Sequence, residues 1–262
     1  MVTEIVRYEQ HDTNQQEINR QTFGYETGRL ASYTDQNPDR ALSFKFKYVG
    51  GKVAYAYTAD HSTVLNFDYD QFERIEKASL LVNNKEQTVF SLNYESPDRT
   101  TRLTGLVETR ILLPANSSII SRTFQFSYQE IAGKTEDLVI QTVQNAYKDG
   151  SRTEEEFDFD LSAQNHSPYY DSGQTIVFAL LALTNPNEVE IARYLQRFDC
   201  QSVTHEIMNT GGNRSLREYS QFTTDFDGNY NPIRSSQQTT ITIPTDSPNR
   251  YYQQTFQFNC VE

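Results

Sequence analysis

The sequence predicts an all-β chain, a long antiparallel up-and-down meander of about 14–16 strands with one short helical insert. Three observations predict it. Apolar and polar residues alternate with period two over most of the chain, which puts successive side chains on opposite faces of a strand. Turn-forming pairs punctuate the alternation at short intervals. One five-residue unit, aromatic-x-apolar-x-Tyr, recurs along the chain.

The unit appears in "TFGYETGRL" (22–30), "FKFKYVGGKV" (44–53), "LNFDYDQFERI" (65–75), "FSLNYESPDRTTRL" (90–103) and "FQFSYQEIAGK" (124–134), with a variant in "FTTDFDGNYNPI" (222–233). Its tyrosines are Tyr25, Tyr48, Tyr69, Tyr94 and Tyr128; the first four are 23, 21 and 25 residues apart. That interval fits an up-strand, a turn and a down-strand. Within a unit, Phe44, Phe46 and Tyr48 share a face that Lys45 and Lys47 oppose. Leu65, Phe67 and Tyr69 oppose Asn66, Asp68 and Asp70 in the same way. Turn signals stand at 27–29 (TGR), 50–52 (GGK), 83–85 (NNK), 96–98 (SPD), 148–150 (KDG), 210–213 (TGGN) and 227–229 (DGN). "EFDFDL" (156–161) and "FQFNC" (256–260) keep the alternation without the tyrosine.

Residues 162–199 break the pattern. "IVFALLAL" (176–183) reads as a buried strand or a short core helix. "NPNEVEIARYLQRF" (185–198) predicts a helix over about 186–198, with Asn185 as N-cap, Pro186 first and Glu188 as the N3 partner. Ile191, Tyr194, Leu195 and Phe198 would form its apolar stripe. The organisation is one domain, 1–262: repeat hairpins over 1–161, the insert over 162–199 and closing strands over 200–262.

The repeated units resemble the YD repeat of rearrangement-hotspot proteins: tyrosine, aspartate, a short turn, Gly-Arg and an aliphatic residue. "YETGRL" (25–30) matches with Glu26 for the aspartate, and "YDQFERI" (69–75) has Glu73 where the glycine would be. "DFDGNYNPI" (225–233) keeps Asp227 and Gly228, with Phe226 for the tyrosine. The chain as a whole, outside the insert, is similar to a family of secreted lipoproteins of unknown function with a porin-like fold, from Gram-negative bacteria. The resemblance implies a location that is secreted, periplasmic or anchored to the outer membrane. It transfers no catalytic residue. Met1 leads directly into strand-like "VTEIVRYE", which fits removal of a targeting segment that would have carried a lipid anchor.

A meander exposes two edges unless it closes. The expectation is a water-soluble porin-like barrel; the alternative is an open, strongly twisted single sheet. A membrane pore fits less well. Each apolar stripe is three residues, about 13 Å, against a lipid-facing band of about 25 Å. No stretch reaches the roughly 18 apolar residues of a transmembrane helix.

Composition narrows the function. The formal net charge is -12, which argues against nucleic acid and anionic lipid as partners. Mean hydropathy is -0.69, yet 13% of residues are aromatic, which disordered chains are not. Glu154, Glu156, Asp158 and Asp160 share one strand face; Ca²⁺ binding there competes with a solvated outer face opposite Phe157, Phe159 and Leu161. "DFDGNYN" (225–231) alternates oxygens but misplaces the glycine of a calcium loop and reads as a turn. His11, His61, His166 and His205 match no metal spacing, so no metal or cofactor is expected. Cys200 and His205, five apart, would face opposite sides of a regular strand, against a nucleophile pair. Cys200 and Cys260 are two buried thiols or a disulfide tying the last strand to the segment after the insert. With no catalytic motif, the expected function is a secreted or envelope binding or structural module with an aromatic-lined interior. Its ligand would be a small molecule, glycan, lipid or peptide held near the insert. The alternatives are a hydrolase of an envelope polymer, and an adhesion or assembly protein using its sheet edges.

Overall fold

The last strand pairs with the first, so the meander closes on itself. The computed structural model describes all residues except 12–13, 39, 97–101, 114–116, 132, 134, 171–173, 246 and 260–262. Among the described residues sixteen antiparallel strands form one barrel. They are β1 (Val2–His11), β2 (Asn14–Glu26), β3 (Arg29–Asn37), β4 (Arg40–Val49), β5 (Lys52–Tyr57), β6 (Thr63–Tyr69), β7 (Ile75–Val82) and β8 (Lys85–Tyr94). There follow β9 (Leu103–Arg110), β10 (Ile119–Ile131), β11 (Thr135–Tyr147) and β12 (Arg152–His166). After the insert come β13 (Phe198–Asn209), β14 (Arg214–Phe226), β15 (Pro232–Ile243) and β16 (Arg250–Phe258). Every strand pairs with its sequence neighbour, as a meander requires. The open-sheet alternative falls, because β1 and β16 are hydrogen-bonded from Val2↔Phe258 to Gln10↔Tyr251.

The alternation has its apolar face inward. Phe44, Leu65, Phe90 and Phe124 are fully buried, while Lys45, Lys47, Asp68, Ser91, Asn93, Gln125 and Ser127 are exposed on the outer face. A lipid-facing wall would need the reverse. No helix is long and apolar enough to cross a membrane among the described residues. The hairpin turns follow their residues: Asn83 and Asn84 take φ 51 and 61°, and Thr27 and Gly28 take φ 48 and 75°, the left-handed pair of a tight hairpin.

The repeated tyrosine proves to be a lock between neighbouring hairpins. Each one pairs across its own hairpin with the aliphatic residue after the turn: Tyr25↔Leu30, Tyr48↔Val53, Tyr69↔Ile75, Tyr94↔Leu103 and Tyr128↔Leu138. The register shifts at each of these five pairs, so the return strand carries one extra residue, a β-bulge. The carbonyl of that aliphatic residue then accepts the hydroxyl of the next tyrosine. Tyr48 donates to Leu30 at 2.9 Å, Tyr69 to Val53 at 2.9 Å, Tyr94 to Ile75 at 2.8 Å and Tyr128 to Leu103 at 2.9 Å. The cation just before the aliphatic residue covers the same ring. Arg29 lies over Tyr48, Lys52 over Tyr69, Arg74 over Tyr94 and Arg102 over Tyr128, at 5.5, 5.2, 4.3 and 5.2 Å. In two units the acid after the tyrosine holds that cation: Asp70 pairs with Arg74 and Glu95 with Arg102. Asp70 also caps its own turn through Phe72 N and Arg74 N.

Sixteen strands enclose more space than wall side chains fill. The insert occupies it. "TIVFALLAL" forms α1 (Thr175–Leu183), apolar all round, with Val177 through Leu183 buried. Phe178 packs on Phe23 and Tyr33 of the wall at 5.1 and 6.4 Å. The helix expected over about 186–198 is not there; only α2 (Ala192–Leu195), a single turn, is helical. The barrel wall takes the backbone groups that a helix would have used. Arg110 donates to Pro186 O at 2.9 Å and Arg122 to Glu188 O at 2.5 Å. Gln141 donates to Val189 O at 2.7 Å and accepts from Ile191 N and Ala192 N. Asp137 accepts from Arg197 N and Phe198 N. Asn185 accepts from Asn187 N, a local turn instead of a helix cap. Gln196 Nε2 reaches Leu138 O at 3.0 Å. That carbonyl belongs to the last unit, and β12 carries Leu161 and no further repeat tyrosine, so the insert supplies the missing donor.

Two stability outcomes follow from these contacts. Tyr69→Phe and Tyr128→Phe should each lower stability by about 1 kcal/mol, a fall in Tm of roughly 2–4 °C. Tyr25→Phe should cost nothing, because the Tyr25 hydroxyl is buried with no partner among the described residues. Thermal unfolding of the three variants separates them. Glu108 is the second case: it binds Arg110 at 2.6 Å and Arg122 at 2.5 Å, and its side chain is 2% exposed. Glu108→Gln should cost about 3 kcal/mol or more by leaving buried guanidiniums uncompensated. Glu136→Gln, at a pair to Arg102 whose acid is 53% exposed, should cost under about 0.5 kcal/mol, and urea titration of the two variants compares them.

Candidate functional site

The inner wall changes character around the barrel. From β2 to β12 its inward positions are mostly apolar and packed against the insert. On β14 to β16 polar side chains join them: Ser220, Ser235, Gln237, Thr239 and Gln254 stand among Phe222, Ile241 and Phe256. Ser220 and Thr239 share a 2.7 Å hydrogen bond, and Gln237 donates to both. The insert leaves space unfilled between itself and the wall. Two cavities of about 240 and 360 Å³, one toward β12–β16 and one toward β1–β3, share Arg7, Tyr169, Glu190, Arg193 and Gln254. The smaller one is also faced by Phe157, Phe159, Phe198, Phe222 and Phe256.

The charged groups here are held by geometry. His205 stacks on Phe157 at 4.1 Å and 5°. Its Nδ1 meets Glu218 at 3.0 Å and its Nε2 meets Glu155 at 3.3 Å. Burial works against its charge, but the hydrogen bonds to Glu155 and Glu218 outweigh it and raise its pKa to about 9. Glu218 is held below the usual carboxylate range by the same contact. Arg193 bonds Glu188 at 2.9 Å and approaches Glu190 at 3.9 Å. Burial pushes the Glu190 carboxyl up, with Arg193 opposing. Burial likewise raises Asp199 to about 6 and lifts the Cys200 thiol well above its ordinary value.

The structure redistributes the candidates. Cys200 and His205 both face the smaller cavity. A bulge explains it: Cys200 pairs with Leu161 and Ser202 with Asp160, so Gln201 is extra and the phase of β13 flips. They make no hydrogen bond to each other: Cys200 Sγ donates to Ser202 O, and both nitrogens of His205 are taken by Glu218 and Glu155. Cys260, the suggested disulfide partner, lies outside the described residues. The acidic run points outward at Asp158 and Asp160, opposite buried Phe157, Phe159 and Leu161. Asp227 is taken up by its own turn, accepting from Asn229 N and Asn231 N. His61 stacks on Tyr57 and His166 packs on Phe198, apart from the His205 cluster. No group of three metal-ligating side chains occurs among the described residues.

Sequence reasoning missed Arg7, Glu155, Glu190, Arg193 and Glu218. A signal existed for three of them. Glu155 is in phase with Phe157 and Phe159, Arg7 with Ile5, and Glu218 with Phe222, so each is a charge on the inner stripe. Glu190 and Arg193 carried no such signal, because the insert has no simple period.

No family model matches the chain, and no curated protein matches it. Solved structures do. A porin-like protein from Bacteroides uniformis superposes with a TM-score of 0.58 at 9% identity, covering 98% of this chain and 96% of that one. A porin-like protein from Bacteroides vulgatus gives a TM-score of 0.52 at 10% identity, covering 99% of each chain. At this identity the likeness establishes the fold: an all-β, porin-like barrel.

The His205 cluster makes stability depend on pH. Its contribution, up to about 3 kcal/mol, is fully present below the unfolded histidine value near 6.5 and is lost as pH rises through about 9. Wild-type Tm should therefore fall between about pH 6.5 and 9 relative to His205→Gln. Parallel curves for the two proteins would refute the assignment.

Proposed function

We propose that the barrel is a binding protein of the bacterial envelope that holds a small ligand in the lumen beside the insert. One observation carries this reading: the lumen is neither packed solid nor uniformly apolar. It keeps a cavity of about 240 Å³ with phenylalanine rings facing charged and hydrogen-bonding side chains, the mixture that binding pockets use. The polar outer wall suits an aqueous compartment. The similarity to secreted lipoproteins supports a secreted, periplasmic or outer-membrane-anchored location. The porin-like neighbours come from Bacteroides, in keeping with an envelope protein.

The assembly reading loses its basis, since a closed barrel offers no free sheet edge. The hydrolase reading draws on Glu190 and Asp199, two carboxyls raised by burial at one cavity. That cavity has the volume of a small molecule, not of a polymer segment, and Glu190 lies against Arg193.

Calorimetry with mono- and disaccharides, short acyl chains and dipeptides tests the binding reading on wild type and on Gln254→Trp, whose ring would enter both cavities. At least one class should bind wild type and lose at least tenfold in affinity in the variant. Binding unchanged by Gln254→Trp would place the ligand elsewhere and overturn the lumen site.

A further inference from the structure

The arginines that face the lumen are not equivalent. Arg110 and Arg122 share Glu108, and Arg193 has Glu188 and Glu190. Arg7 has no carboxylate within ion-pair distance among the described residues. It projects inward from β1, in phase with buried Ile5, and lines both cavities. Its Nη2 donates to Gln237 Oε1 at 3.2 Å, and its guanidinium lies 4.4 Å from the Tyr252 ring centre. Its Nε is enclosed with no acceptor and its Nη1 makes no hydrogen bond among the described residues, while the side chain lines both cavities. Burial, and after it the charge of Arg193, lower its pKa, and Glu190 and Glu188 act on it only at a distance. A partly buried cation without a counter-ion carries a desolvation cost, which a ligand's negative charge would offset.

We propose that the lumen site takes a small organic monoanion, a carboxylate on an apolar body, with its charged end at Arg7 and its body against Phe157, Phe159, Phe222 and Phe256. This rests on the lumen being the binding site. The two halves of the cavity specify the two halves of the ligand. The open donor of Arg7 matches a carboxylate oxygen. The phenylalanine rings match a flat or aliphatic body. The other lumen cations already have acids, Arg193 with Glu188 and Glu190 and His205 with Glu155 and Glu218, so Arg7 matches a single negative charge and a dianion such as a phosphate monoester would bring one too many.

Titration calorimetry and thermal unfolding of the full chain, with benzoate, octanoate and benzamide, provide the test. Benzoate or octanoate should bind wild type and raise its Tm with concentration. Benzamide, the same shape without the charge, should bind at least tenfold more weakly. Arg7→Gln should lose at least tenfold in carboxylate affinity, leave benzamide unchanged, and unfold no lower than wild type, because it removes a partly buried charge that has no counter-ion. If Arg7→Gln does not fold, Arg7→Met takes its place, and the wild-type comparison of benzoate with benzamide needs no variant. Benzamide binding as tightly as benzoate, or an Arg7 variant that keeps its benzoate affinity, overturns the monoanion and leaves the lumen site standing. No binding of any of the three probes overturns the monoanion, and the saccharide and dipeptide titrations then decide the lumen site separately.

Discussion

The tyrosine lock joins each hairpin to the one before it, and the rest of the barrel depends on that join. A sheet of sixteen strands has no inherent reason to curl to one diameter. Here each return strand carries an extra residue at the point where it meets the repeat tyrosine. The bulge bends the strand and turns one carbonyl out of the ladder. The next tyrosine hydroxyl takes that carbonyl, and the preceding cation covers its ring. Curvature and connection are therefore set together at the four tyrosine locks between β2 and β11. The acid of the Tyr-acid pair belongs to this device as well: Asp70 caps its turn and aims Arg74 at Tyr94.

The lock runs out where the tyrosines run out, and the insert begins there. Leu138 offers its carbonyl and β12 has no tyrosine to meet it, so Gln196 from the insert does. Beyond β12 the inner wall mixes phenylalanines such as Phe222 and Phe256 with hydroxyls, amides and charges. The barrel is thus built in two arcs. One is packed by repeat side chains against α1. The other is lined by hydroxyls, amides and charges that α1 does not cover. The site is the space between an apolar plug and a polar wall, and it exists because the chain changes its pattern part-way round. Glu108 secures the plug from the packed side: the two arginines it neutralises reach carbonyls of the insert.

Much of the fold was legible. Period-two alternation gave the strands, and dipeptides such as Asn83-Asn84 gave turns with the left-handed backbone they require. Less of the site was. The helix expected over about 186–198 had a good cap and an apolar stripe, yet Gln141, Arg122 and Arg110 offered its backbone other partners. Local propensity is a weak prior where a wall of hydrogen-bonding side chains surrounds the segment. Cys200 and His205 were placed on opposite faces by strict alternation, and a single extra residue, Gln201, put them on the same one.

By itself the sequence determined the strands, their antiparallel order, the repeat and the polarity of the two faces. These follow from short-range rules: side-chain period, turn chemistry and the interval between units. The tertiary structure alone decided that the edges meet, that the apolar face turns inward, and that a tyrosine serves the hairpin before it. It also decided which charges share the lumen. Arg7 comes from the first strand, Arg193 from the insert and His205 from beyond it. Their meeting is a product of barrel closure, which joins residues far apart in the chain by contacts that no local pattern encodes.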